Sequence, residues 1–344
     1  MSKQLHSLIT ILALVVVSFS IRSLHYVCKD HDLKRRSIAI DYVSVTKVDN
    51  DISKLIKTPT KKPVTKPPLL NYNCTKTKIP SKKHHKLTAL TSFMGSGNTW
   101  VRKLLQDAFG YWTGSIYPDN DIKKYNLVPD FGKINCNHQK GKSEFIVVKT
   151  HRWPSWGEQP SKGSAAPCTF ERAILIIRNL FEALPSEFQR QEAEQKKKEL
   201  AKSEREDFNP HTVKMTKDDI LRHYRWPKFV KNMAEHWLTL ITEWAEYEKG
   251  PVKVVCYEKL KADHLVEIEK LAEFLEVHEE YQLRNKYCSE LESQGDFKRP
   301  SKEYSVMELY TENEISDIKD IIARASKILK ANGKEDCTEF FEGL

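Results

Sequence analysis

Several things are missing from this chain, and each absence narrows what it can be. The loop Gly95-Ser96-Gly97-Asn98-Thr99 is not followed by Gly-Lys-Ser/Thr, so it is not the phosphate loop of an ordinary ATPase or GTPase. The seven cysteines (Cys28, Cys74, Cys136, Cys168, Cys256, Cys288, Cys337) include no Cys-x-x-Cys pair, which argues against a bound metal. Residues 87–344 lack a basic excess. They hold 39 Lys/Arg against 42 Asp/Glu, so this part is not a nucleic-acid binder by composition. There is no internal repeat, and the uncharged apolar run Ser7 to Ile21 stops at 15 residues.

What is present begins with that run. As a helix it would be about 22 Å long, slightly short for a bilayer core of about 30 Å. It reads as a signal anchor (tail 1–6, span 7–21), with a cleaved signal peptide as the alternative. Either reading sends the remainder into the secretory pathway, and the anchor makes a single-pass type II membrane protein. Residues 1–86 carry the basic excess, 17 Lys/Arg against 5 Asp/Glu. Residues 22–86 read as a stem. Lys57 to Pro68 is rich in Pro, Thr and Lys and cannot bury a core. Asn73-Cys74-Thr75 is a glycosylation sequon if this segment is luminal.

From Leu87 the pattern changes. Short apolar runs at 87–93, 145–148, 173–177 and 252–256 alternate with helical segments, which predicts a mostly parallel sheet covered on both faces. Helices are expected at 100–109, at 228–247 with an aromatic core face, and at 265–275. A highly charged helix, solvated or lid-like, is expected from Pro185 to Asp207. Cys256, in an apolar strand, reads as a buried free thiol. Cys136 and Cys168 flank the second strand and are a candidate pair, and Cys28 is placed to link two chains in a homodimer.

In open α/β sheets the functional groups gather at the carboxyl ends of the strands. After the first apolar run comes Gly95 to Thr99 at a helix start, a natural anion site. After the second come Lys149, Thr150 and His151. After the third come Arg178 and Asn179, with Ser186 eight residues past the arginine. After the fourth come Tyr257 and Glu258. Cations and hydroxyls at several strand ends imply an anionic ligand, and a histidine among them is a candidate general base.

These motifs together resemble the sulfotransferases that use 3′-phosphoadenosine 5′-phosphosulfate (PAPS). Met94 to Trp100, Lys149-Thr150-His151, Arg178-Asn179 with Ser186, and Val255-Cys256-Tyr257-Glu258 each match a motif of that family across roughly residues 87–300. The wording GNTWVR, AILIIRN and FKR is most similar to the sulfotransferase domain of WSC-domain-containing membrane proteins, without the Cys-rich WSC module. The resemblance implies a three-layer α/β sandwich over residues 87–344, the P-loop NTPase-like sulfotransferase fold, and a Golgi enzyme that moves a sulfuryl group from PAPS to a glycan hydroxyl without a metal. By analogy it points to sialylated glycans. It implies that Gly95, Ser96, Gly97, Asn98 and Thr99 hold the 5′-phosphosulfate. Arg178 and Ser186, with Lys298 and Arg299, would take the 3′-phosphate, and Tyr257 the adenosine. His151 would be the base.

One position departs from the pattern. Many family members have Lys or Arg where this chain has Gly95, and that cation stabilises the leaving group. Lys149 is the first candidate to replace it, and Arg102, one turn into the first helix, is the second. The alternative is a catalytically weak or inactive luminal binding protein that keeps the fold.

Overall fold

The computed structural model describes residues 85–117, 127, 143–157, 169–208, 214–277, 288 and 304–341. The chain divides into units 1–67 and 68–344, and every described residue lies in the second. The anchor at 7–21, the sequon at Asn73, Cys28, Cys74, Cys136, Cys168, Lys298 and Arg299 fall outside the described residues, as does the stem except for His85 and Lys86. Among the described residues no helix is long and apolar enough to cross a membrane.

Five strands form one all-parallel sheet in the order β2-β3-β1-β4-β5: β1 Thr88–Ser92, β2 Gly114–Ser115, β3 Val148–Thr150, β4 Arg172–Ile177 and β5 Val252–Cys256. Side chains alternate between two cores, as strand geometry requires. Ala173, Leu175 and Ile177 of β4 face a core that includes Phe188, Trp226, Trp237 and Trp244. Ile174 and Ile176 face the other, with Val101, Leu104, Leu105, Ile268 and Leu271. The first core is built by helices α2 Leu180–Glu199, α5 Trp226–Ala245 and α8 Glu312–Ala331. The second is built by α1 Asn98–Phe109 and α7 His264–Phe274. Short helices α3 Lys202–Asp207, α4 Lys217–Leu221 and α6 Tyr257–Ala262 complete the set. The result is two helical layers around a sheet, with β1 in the middle.

Three expectations need correction. The charged helix does not begin at Pro185. Asn179 caps α2 by accepting the Phe181 N–H at 3.0 Å, and Pro185 sits within the helix. The first half of α2 is therefore core, with Leu180, Phe181, Ala183, Leu184 and Phe188 buried, and only its second half is solvated. Cys256 is not a free thiol. It is disulfide-bonded to Cys337, 81 residues later, with the Cα atoms 5.0 Å apart and both residues fully buried. Its partner lies in the 3₁₀ turn Cys337–Phe340, which follows α8. Arg102 is fully buried and structural, its Nε and Nη2 donating to the Thr113 hydroxyl at 3.0 Å and carbonyl at 2.8 Å.

A second buried arginine shows how polar groups are satisfied at the opposite end of the sheet. Arg172, at the start of β4, donates to the carbonyls of Phe274 and Leu275 at the end of α7 and to Thr88 Oγ1. A cation at a helix C-terminus meets both the unpaired carbonyls and the negative end of the dipole.

Candidate active site

The ends of β1, β3, β4 and β5 converge on the N-terminus of α1. Gly95 and Gly97 both adopt left-handed backbone, φ +78° and +81°. An L side chain is strained there, and neighbours leave no room for one. A Cβ on Gly95 would stand 2.6 Å from the Ala183 carbonyl oxygen, and a Cβ on Gly97 would stand 2.5 Å from Cε2 of Tyr257. Asn179, Thr216, Asp263 and Thr311 cap α2, α4, α7 and α8 with their side chains. Gly97 gives α1 no side-chain cap, and its first turn holds no acid. The first N–H groups of α1 and its positive dipole end thus face the loop without a neutralising partner.

Ser96 lies in that loop, 1% exposed, and its hydroxyl has no hydrogen-bond partner. A buried hydroxyl without a partner costs about 1–3 kcal/mol, and a bound anion would relieve it. The residues therefore fit a phosphate or sulfate group. Asn98 behaves differently from expectation, because its Nδ2 is used inward. It donates to the Leu90 carbonyl at 3.0 Å and to Ser92 Oγ at 3.1 Å. What Asn98 offers an anion is its backbone N–H.

Lys149 lies within β3 rather than after it, pairing with Leu90 of β1. Its Nζ reaches Thr99 Oγ1 at 3.2 Å, which brings a largely buried ammonium to the start of α1. His151 follows β3. Its Nδ1 is 2.8 Å from the Ser92 carbonyl oxygen. A carbonyl only accepts, so Nδ1 carries the proton and Nε2 holds the lone pair. Burial, then the charge of Lys149, push the imidazole pKa down to about 3, with smaller contributions from Arg190 and His236.

Arg178, just past β4, donates to the Gly95 carbonyl at 2.6 Å and pairs with Glu182 at 3.4 Å. Its guanidinium also lies 4.7 Å from the centre of the Tyr257 ring. Tyr257 in turn packs edge-to-face on Trp100, with centroids 5.6 Å apart. Glu258 accepts the Asn179 N–H at 2.9 Å, tying the end of β5 to the start of α2. Ser186 lies on α2 one turn beyond Glu182, on the side Arg178 reaches. The loop, Lys149, Arg178 and Tyr257 are linked by direct contacts, and His151 shares one electrostatic neighbourhood with Lys149.

Residues not picked out by the sequence also belong here. Glu187 is fully buried and holds Arg190 at 2.6 and 2.7 Å. Its backbone and Cβ lie 3.0 and 3.3 Å from where a Gly95 Cβ would be. His236 packs edge-to-face on Trp153 and Phe93. These come from α2 and α5, and no periodicity in the sequence marks them. The signal that existed was Gly95 itself, whose missing side chain leaves room for Ala183 and Glu187 of α2.

The sulfotransferase domain family matches residues 169–316. The WSCD family member CG9164 of Drosophila melanogaster is 32% identical over 234 residues, covering 68% of this chain and 63% of that protein. WSCD family member GA21586 of Drosophila pseudoobscura pseudoobscura is 33% identical over 226 residues, covering 66% and 61%. The chain thus spans a little over 60% of the length of these curated relatives. Among solved structures, mouse sulfotransferase SULT7A1 complexed with PAP aligns with a TM-score of 0.44 at 13% identity, over 74% of this chain and 87% of that one.

Proposed function

We propose that this chain, whose residues 169–316 match the sulfotransferase domain family, moves the sulfuryl group of PAPS to a hydroxyl of a glycan, with sialylated glycans as the acceptor class to test first. The observation that carries this reading is the unpartnered, buried Ser96 hydroxyl in a loop of two left-handed glycines, at a helix start with no side-chain cap.

PAPS supplies an activated sulfuryl group on a phosphate leaving group. The protein's part is positioning and electrostatics. The loop N–H groups and the Ser96 hydroxyl receive the anionic end. Lys149 stands at the start of α1, where charge on a leaving oxygen would be neutralised. His151 presents Nε2 as base to the acceptor hydroxyl, its tautomer held by Ser92. Arg178, Ser186 and Tyr257 form the adjoining nucleotide side, with Lys298 and Arg299 assigned there from the sequence. The Cys256–Cys337 disulfide suits an oxidising compartment and so supports a luminal, Golgi-type domain behind an N-terminal anchor. Gly95 favours a second reading, in which the chain binds the nucleotide with little or no turnover.

The test is transfer from labelled PAPS to a panel of glycans by the full chain and by His151→Ala, with PAP binding followed by calorimetry. Transfer that depends on His151, together with PAP binding, supports the enzyme. Binding without transfer favours the second reading. Equal transfer by both proteins, or no PAP binding, overturns the mechanism.

A further inference from the structure

His151 is the last residue of the Lys149-Thr150-His151 segment and lies beyond the end of β3. Something other than the sheet must therefore hold it. β2 pairs with β3 with Ser115 opposite Lys149, and the Ile116 N–H continues the ladder to the Lys149 carbonyl at 3.1 Å. In a parallel ladder the next bond would take the His151 N–H to the Ile116 carbonyl. Instead the Tyr117 N–H turns onto Ser115 Oγ at 3.1 Å, and the phenol swings across. The His151 N–H donates to the Tyr117 hydroxyl at 2.9 Å. The two rings stack, with centroids 5.5 Å apart and planes 26° apart. Behind His151, the Arg152 N–H donates to Thr150 Oγ1 at 3.0 Å, and Trp244 Nε1 donates to the Arg152 carbonyl at 3.0 Å.

We propose that Tyr117 is the positioning residue for His151: its hydroxyl takes the place of the missing strand carbonyl, and its ring fixes the plane of the imidazole. With Ser92 on Nδ1, the histidine is then held at its main chain, its ring face and its ring edge. Nε2 keeps one direction. A tyrosine two residues past the edge strand β2 thus sets the aim of a base that lies just past the end of β3. The proposal deepens the reading of His151 as base, and it has a readout that does not depend on turnover.

The charged and titratable groups around the imidazole are Lys149 from β3, Arg190 from α2, His236 from α5, and Arg152 and Tyr117 beside it. Burial raises the phenol pKa, so Tyr117 stays neutral and acts through contact rather than charge.

The experiment is nitrogen-detected NMR of the histidine rings in the full chain, with His151→Ala to assign the signal. Wild type should show one neutral tautomer, protonated at Nδ1, across neutral pH. Tyr117→Phe keeps the stack and loses the hydroxyl; Tyr117→Ala loses both. In Tyr117→Ala the ring should show a mixture of tautomers, and its titration midpoint should rise by at least about one pH unit as water replaces the phenol. Where wild type transfers sulfate, kcat should fall about tenfold in Tyr117→Phe and about a hundredfold in Tyr117→Ala, with KM for PAPS within about twofold. PAP binding within about twofold of wild type shows that each variant is folded. The proposal is overturned if both variants bind PAP normally and keep the wild-type tautomer and midpoint. If wild type transfers no sulfate, the proposed activity fails, yet the ring spectra still decide the role of Tyr117.

Discussion

Placing a cation at residue 95, as many of the sulfotransferases this chain resembles do, is the most informative perturbation. If Gly95 were a simple loss, Gly95→Lys should recover transition-state stabilisation, worth on the order of 10²–10³ in rate. The structure predicts the opposite. The left-handed backbone at residue 95 costs a non-glycine residue about 1–2 kcal/mol. The new Cβ would stand 2.6 Å from the Ala183 carbonyl oxygen and 3.0 Å from the Glu187 N, both backbone atoms of α2. Neither can rotate away, so the helix or the loop must shift. Overpacking of this kind adds about 1–3 kcal/mol. The sum, about 2–5 kcal/mol, is a large part of a total stability of about 5–15 kcal/mol. Thermal melting should fall by roughly 4–20 °C, and PAP binding should weaken because the loop carries the anion site. Gly95→Ala should lose nearly as much, since it shares the backbone and the Cβ. Differential scanning fluorimetry and calorimetry with PAP measure both effects. A Gly95→Lys protein that melts like wild type, and turns over faster, would refute the packing argument.

Other consequences follow for the same groups. Lys149→Met removes the ammonium that reaches Thr99 and keeps most of the volume, so kcat should drop by about 10²–10³ while the melting temperature moves little. His151 makes a pH prediction whose sign is fixed. Its pKa is lower folded, about 3, than the ordinary 6.5, so the unfolded chain binds more protons in that window. The stability that this group contributes above pH 6.5 is lost as pH falls, by roughly 2 kcal/mol at pH 5. His151→Gln should therefore flatten the loss between pH 7 and 5 in denaturant titrations; an unchanged slope would show that the imidazole is not held neutral. PAP carries negative charge toward Lys149, so binding it should raise the His151 midpoint, measurable by the same ring NMR.

Much of this could be read in the sequence, for identifiable reasons. β1, β4 and β5 were legible because buried parallel strands are short, continuous apolar runs, and 88–92, 172–177 and 252–256 fall on those runs. The Gly95–Thr99 loop was legible because strand, glycines and amphipathic helix follow in one stretch. β3 was displaced because the apolar run 145–148 precedes the ladder. The strand proper includes Lys149, which polarity argued against and contact with Thr99 requires. β2 has two residues and carries no pattern at all. The start of α2 was obscured by Pro185, which reads as a beginning and is instead tolerated inside the helix. Arg102 looked available to a ligand because charge suggests exposure, whereas it is fully buried with Nε and Nη2 bonded to Thr113. Cys256 looked like core because its partner is 81 residues away. The C-terminal helix α8 has its own sequence signal, a capping box of Thr311 and Glu314 before Ile315, Ile318, Ile322 and Leu329 at helical spacing.

The disulfide also bears on how the protein is made. Strand β5 delivers Tyr257 to the site, and its last residue, Cys256, is fastened to Cys337. Every residue assigned to the nucleotide and acceptor groups is therefore synthesised before the cysteine that fastens this strand end. In an oxidising compartment a growing chain would hold every assigned group while the end of β5 is still unfastened. Translation must reach Cys337 before the bond can form. Stop codons that fall just before Cys337, which spare every group assigned here, should thus behave as defects in the site.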